Sequence, residues 1–90
     1  MPRAAGRLPD KLAVEIGRRL ASAHERLSES LGRKVTFREV GESIGTDGNV
    51  IGQILRGATH VSLYRLMLLA WAYNTTASVL LEGLDLGDYE

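Results

Sequence analysis

The stretch from Thr36 to Gly57, TFREVGESIGTDGNVIGQILRG, decides the fold of this 90-residue chain. Val40 and Ile44 are four residues apart and Ile51 and Ile54 three, so each pair lies on one helical face and all four are candidates for a shared core. Gly41 has no side chain to hold two helices apart, and Gly45 supplies the positive φ that a sharp turn requires. Two helices joined by a tight turn are therefore expected, a helix-turn-helix.

Working outward from this stretch, Thr36 with Glu39 three residues on makes a capping box for the helix that ends at Gly45. Thr46 is the expected N-cap of the next helix, which runs to Leu55 or Arg56 with Gly57 in the C′ place. Upstream, Leu12, Ile16, Leu20, Ala23, Leu27 and Leu31 recur at spacings of three and four and predict a long first helix from about residue 9 or 10 to residue 30, stopped by Gly32. Downstream, Ser62 caps a fourth helix over residues 63–73, and Thr76 caps a short fifth one to Glu82, ended by Gly83. No stretch reads as a strand, and no internal repeat or low-complexity segment is present. The fold class is all-α, a five-helix bundle with an extended first helix. Residues 1–8 are expected to form a disordered arm, 9–83 the domain, and 84–90 an acidic tail.

Ninety residues, 44% hydrophobic and 24% charged, suit one small core and leave no space for a second domain. There is no cysteine, and His24 and His60 stand far apart, so neither a disulfide framework nor a zinc site is expected. The longest apolar run, Leu66 to Ala72, is far short of the roughly 20 residues that span a bilayer. The opening MPRAAGR is too short and polar for a signal peptide, so a cytoplasmic protein is expected. No Ser/His/Asp, Cys/His, paired-carboxylate or phosphate-loop arrangement is present, so an enzyme is not expected, nor a cofactor.

Eleven basic and eleven acidic side chains cancel, but they are unevenly placed. Residues 1–38 carry a net +5 and the remainder −5, with Glu82, Asp85, Asp88 and Glu90 crowded at the end, so residues 1–81 carry +4. Two readings fit: a positive face for nucleic acid, or an ordinary solvated surface with an acidic tail.

From Val35 to Leu81 the residues resemble the Xre/Cro group of helix-turn-helix regulators, which includes the lambdoid phage repressors. The resemblance rests on VTxxEVGExIGT for the second helix and its turn, IGQIxRG for the third, SL before the fourth, and LMLLAWAYNTTASVLL at Leu66 to Leu81 for the last two. It covers about half of the chain in register. Further upstream, IGRRL at Ile16 to Leu20 is similar to the family's first helix, although the link to the second is longer here. The resemblance implies a lambda-repressor-like domain that places its third helix in the major groove of double-stranded DNA.

On that implication the base-reading positions are Asp47, Gly48, Asn49, Gly52 and Gln53. Asn49 and Gln53 carry amides that match adenine N7 and N6, a bidentate pairing that discriminates by roughly 1–3 kcal/mol; the plain alternative is two surface amides. Asp47 could accept from cytosine N4, but it more simply complements the helix dipole. Gly48 and Gly52 offer no side chain and cost ~1 kcal/mol each relative to alanine within a helix. Closer backbone approach to DNA, readout of DNA shape, and a helix that orders on binding all remain open. Phosphate contacts would come from Arg33, Lys34, Arg38, Arg56, Thr59 and His60 at the edges of the motif. Each of these is also the kind of residue found on any surface, and His60 reads as a loop residue. His24, beside Glu25, reads as a surface or partly buried histidine.

Leu68 and Trp71 are apolar where the family pattern is polar, three residues apart on one helix face, and Leu55 raises the same question. Either the first helix or the tail with Leu84 and Leu86 covers them, or they form a homodimer interface. The function expected is a sequence-specific DNA-binding transcriptional regulator, a repressor acting by occupying an operator. The competing expectation is a protein-interaction role on the same fold, as an antitoxin or adaptor.

Overall fold

The computed structural model describes residues 10–85, and among them the chain forms five helices and no strand. The first, α1(Asp10–Leu31), is a single 22-residue helix. It ends in a Schellman turn, with Gly32 N–H donating to the Glu29 carbonyl and Arg33 N–H to the Ser28 carbonyl. Leu20 and Ala23 are buried, Leu12, Ile16 and Leu27 half-buried, and Leu31 is exposed because it lies at the end of α1, where the apolar face runs past its cover.

The helix-turn-helix is formed by α2(Phe37–Ile44) and α3(Gly48–Leu55). Thr36 and Glu39 make the expected capping box. Gly45 closes α2 at φ 79°, in the left-handed region. Its N–H and that of Thr46 both donate to the Gly41 carbonyl. A Cβ on Gly41 would stand 2.6 Å from the Thr46 carbonyl oxygen, so the turn folds back onto a position that only glycine fills without displacement. The N-cap of α3 is Asp47, not Thr46: the Asp47 carboxylate accepts from Val50 N–H at 3.0 Å. The start of α3 therefore lies one residue further on than expected.

The remaining helices are α4(Leu63–Ala72), capped by Ser62, and α5(Ala77–Leu80), capped by Thr76. The fourth closes with Asn74 at φ 57° in another Schellman turn. The fifth is one turn long and stops before Glu82. Its carbonyl end is held instead by Arg19, whose guanidinium donates to the Leu80 carbonyl at 3.1 Å and to the Glu82 carbonyl at 2.6 Å.

The core gathers one fully buried side chain from each of three helices, Leu20 of α1, Ile51 of α3 and Leu69 of α4. Val40, Ile54, Leu55, Leu66 and Leu80 surround them, and Ile44 packs half-buried against the cluster. Each such side chain contributes about 1.5–3 kcal/mol relative to exposure. Leu55 is thus a core residue and belongs to no surface. The N-terminal half of α1 crosses the end of α3 closely: a Cβ on Gly17 would stand 2.6 Å from the Ile54 carbonyl oxygen.

His24 ties the bundle together at the other end of α1. Its Nε2 lies 2.8 Å from the Val35 carbonyl oxygen and its Nδ1 2.8 Å from the Tyr73 hydroxyl. A carbonyl only accepts, so Nε2 carries the proton, and in the neutral ring Nδ1 accepts from Tyr73. Burial pushes the Tyr73 phenol well above its ordinary range, which keeps it a donor. His24, expected to be a surface or partly buried histidine, is half-buried and forms a structural link between α1, the end of α4 and the segment before α2.

Candidate nucleic-acid interface

The outer surface of α3 presents Asn49 and Gln53, both exposed and one turn apart. The anchor of this surface is the opposite side of the same helix, where Ile51, Ile54 and Leu55 are buried. Free to rotate and unburied, the two amides can each donate and accept toward one planar partner.

Gly48 and Gly52 have a packing explanation. A Cβ on Gly48 would stand 3.0 Å from the Arg38 backbone nitrogen and 3.1 Å from its Cα, so the N-terminal turns of α2 and α3 touch through bare backbone. One turn on, a Cβ on Gly52 would stand 3.0 Å from an Arg56 guanidinium nitrogen and 3.4 Å from the Phe37 ring. Gly52 is buried beneath these two side chains. The missing side chains therefore allow α2 and Phe37 to approach α3, whatever else lies over the helix.

Asp47 is occupied as a helix cap, in keeping with the dipole role, and its charge faces a shallow cleft of about 500 Å³ shared with Phe37, Arg38, Glu42, Thr46, Gly48 and Asn49. Two of the expected phosphate ligands are already paired. Arg38 Nε lies 3.0 Å from Glu42, and Arg33 lies 2.8 Å from Glu39. The Arg33 guanidinium, with the Thr36 backbone, holds the Glu39 carboxyl below the usual carboxylate range, and Glu39 in turn raises Arg33. Exposed pairs of this kind are weak, so exchanging the carboxylate for a phosphate costs little. Lys34, Arg56, Thr59 and His60 are exposed on the segments flanking the motif.

Phe37, which is not among the expected site residues, is the side chain that joins these parts. Its ring meets His24 edge-on at 5.0 Å between centroids and lies against Gly52 of α3. Its position directly after the N-cap, where a hydrophobic residue is not required by capping, is the signal that could have marked it. The same ring forms part of an apolar groove of about 580 Å³ between α1 and the start of α2. Both ring nitrogens of His24, which lines this groove, are taken by Tyr73 and Val35.

The second surface differs from expectation. Trp71 is exposed, but Leu68 is half-buried, since it borders the packed side of α4 and does not share the outward stripe equally. The outward stripe continues instead through Met67 and Tyr64, neither of which was among the expected surface residues. Leu84 is half-buried, and Leu86 lies outside the described residues, as do the arm and the last part of the tail.

Among the described residues no cluster of three or more His, Asp or Glu is placed to hold a metal ion, and no helix is long and apolar enough to cross a membrane. No protein-family model matches the chain, and no curated protein matches it.

Proposed function

We propose that this chain is a sequence-specific DNA-binding regulator of the Xre/Cro type, reading the major groove with α3 and repressing by occupying an operator. The observation that carries the reading is the pair Asn49 and Gln53, exposed on one face of a helix whose other face is fixed in the core behind a tight left-handed turn. Adenine is the base their amides fit. Around them, Arg33, Lys34, Arg38, Arg56, Thr59 and His60 supply the phosphate contacts, with Arg33 and Arg38 released from Glu39 and Glu42. The reaction is binding and not catalysis, in the cytoplasm of a bacterial or phage-infected cell.

With only two base-reading amides per copy, selectivity comes from two copies on two half-sites and from DNA shape. The exposed stripe on α4 is the observation that favours a protein partner as well, and a second copy satisfies both requirements.

Selection of bound duplexes from a random pool, followed by anisotropy titration at two salt concentrations, tests this reading. A recovered sequence with adenines in the bound half-site, and binding that weakens steeply with salt, is expected. Recovery of no sequence preference, with no salt-sensitive binding, leaves the antitoxin or adaptor role as the better account.

A further inference from the structure

We propose that Arg56 reads a guanine in the major groove, placing a donor fork where Gly48 and Gly52 leave the outer face of α3 without side chains. The inference rests on the DNA-binding function proposed above and deepens it by naming a second base.

Asn49, Gln53 and Arg56 follow one another at spacings of four and three, so they start from one face of the helix, and all three are exposed. The backbone of Arg56 is the C-cap, beyond the last turn of α3. Its guanidinium lies further back. One terminal nitrogen stands 3.0 Å from the point where a Cβ on Gly52 would be, and the Phe37 ring stands 3.4 Å from the same point. The side chain therefore runs toward the N-terminus of α3, the direction that long side chains take on a helix, and carries its charge one turn back. Gly52 is the seat of the guanidinium, because a side chain there would take the same space.

Pairing separates Arg56 from the other arginines near the motif. Arg33 and Arg38 hold Glu39 and Glu42, whereas among the described residues no carboxylate pairs with Arg56. Its fork is free for a ligand. Two parallel N–H donors in one plane match guanine O6 and N7, while adenine sets a donor, N6, in the place of O6 and is refused. Seated against Gly52 and Phe37, the fork loses less side-chain freedom on binding than a freely moving arginine does. A guanidinium has five N–H donors, so one side chain can take the base and still touch a phosphate. Each half-site then carries a guanine for Arg56 beside the adenine for Asn49 and Gln53.

Duplex selection from a random pool, run in parallel with the full natural chain and with Arg56→Ala, tests this. The natural chain should recover a guanine at one position of the half-site, and Arg56→Ala should lose that guanine while keeping the adenine, with circular dichroism unchanged. Replacing the guanine by 7-deazaguanine removes N7 and leaves every phosphate in place. It should weaken the natural chain by about tenfold and leave Arg56→Ala unaffected. Gly52→Ala keeps the charge but displaces the guanidinium, so it should lower the guanine preference without changing the salt dependence. Equal weakening of every duplex by Arg56→Ala, or a guanine preference that survives both variants, overturns the proposal and leaves adenine reading by Asn49 and Gln53 standing. Absence of any base preference in the natural chain would overturn both.

Discussion

Gly57 and Val14 face each other across the junction of α1 and α3 with no room for a methyl group: a Cβ on Gly57 would stand 2.6 Å from the Val14 Cα. Gly57 also holds φ 74° as the C′ residue of α3. Gly57→Ala therefore combines left-handed strain of about 1–2 kcal/mol with overpacking of about 1–3 kcal/mol, and should destabilise the fold by more than ~2 kcal/mol. Gly45, at φ 79° with nothing near its Cβ position, should lose only ~1 kcal/mol as Gly45→Ala. Urea denaturation of both variants measures the difference; equal losses would show that α1 does not press on the end of α3.

The start of α3 gives a sharper local test. Asp47→Ala removes the side chain that accepts from Val50 N–H and should cost ~1 kcal/mol. Thr46→Ala leaves that cap intact and should be close to neutral in thermal melts. The reverse ranking would return the cap to Thr46.

Arg19 reaches from α1 to the carbonyl end of α5, by its bonds to Leu80 and Glu82. Arg19→Ala should cost about 1–2 kcal/mol, the lower part of the range for hydrogen bonds to a charged group because these lie near the surface. Hydrogen exchange should rise in residues 77–82 before it rises in α3. Uniform exchange along the chain would contradict a local clamp.

Acid should weaken the same end of the molecule. The Arg18 and Arg19 guanidinium groups hold the Glu15 carboxyl down at about 2, below its ordinary value of 4.5. A depressed carboxyl contributes stability above its unfolded pKa and loses that contribution as pH falls toward the folded one. Glu15→Gln should thus be less stable than the natural chain at neutral pH, with the gap closing between about pH 4.5 and pH 2. Urea midpoints across that window report it; a gap that stays constant would remove Glu15 from the acid response. Glu39, lowered by Arg33, should respond in the same direction.

Much of the helical layout was legible because it is written in short-range chemistry. The Thr36 and Glu39 capping box, Gly45, Gly57, Ser62 and Thr76 each act on backbone a few residues away, and each is found where the sequence puts it. The spacings of Leu20 with Ala23 and of Ile51 with Ile54 likewise gave the core faces of α1 and α3. What escaped were relationships set by distance between helices. Gly48 and Gly52 read as gaps in a binding face, because their neighbours Arg38, Phe37 and Arg56 come close only after α2 and α3 fold together. Adjacent Thr46 and Asp47 are both capping residues by type, and only the backbone geometry of the turn shows that Asp47 takes the role. The apolar stripe was seen at Trp71, but its course through Met67 and Tyr64 depends on which side of α4 the core takes. In the candidate interface, the sequence supplied Asn49 and Gln53 but could not reveal that Arg33 and Arg38 already hold Glu39 and Glu42.

The central claim is that α3 reads bases, and Gln53→Ala examines it most directly. Its affinity should be measured against the duplex selected by the natural chain and against a scrambled duplex of the same length. A loss of about 1–3 kcal/mol on the selected duplex, with scrambled binding unchanged and the preference relaxed at one base pair, is the expected result. Equal losses on both duplexes, or none on either, would contradict it.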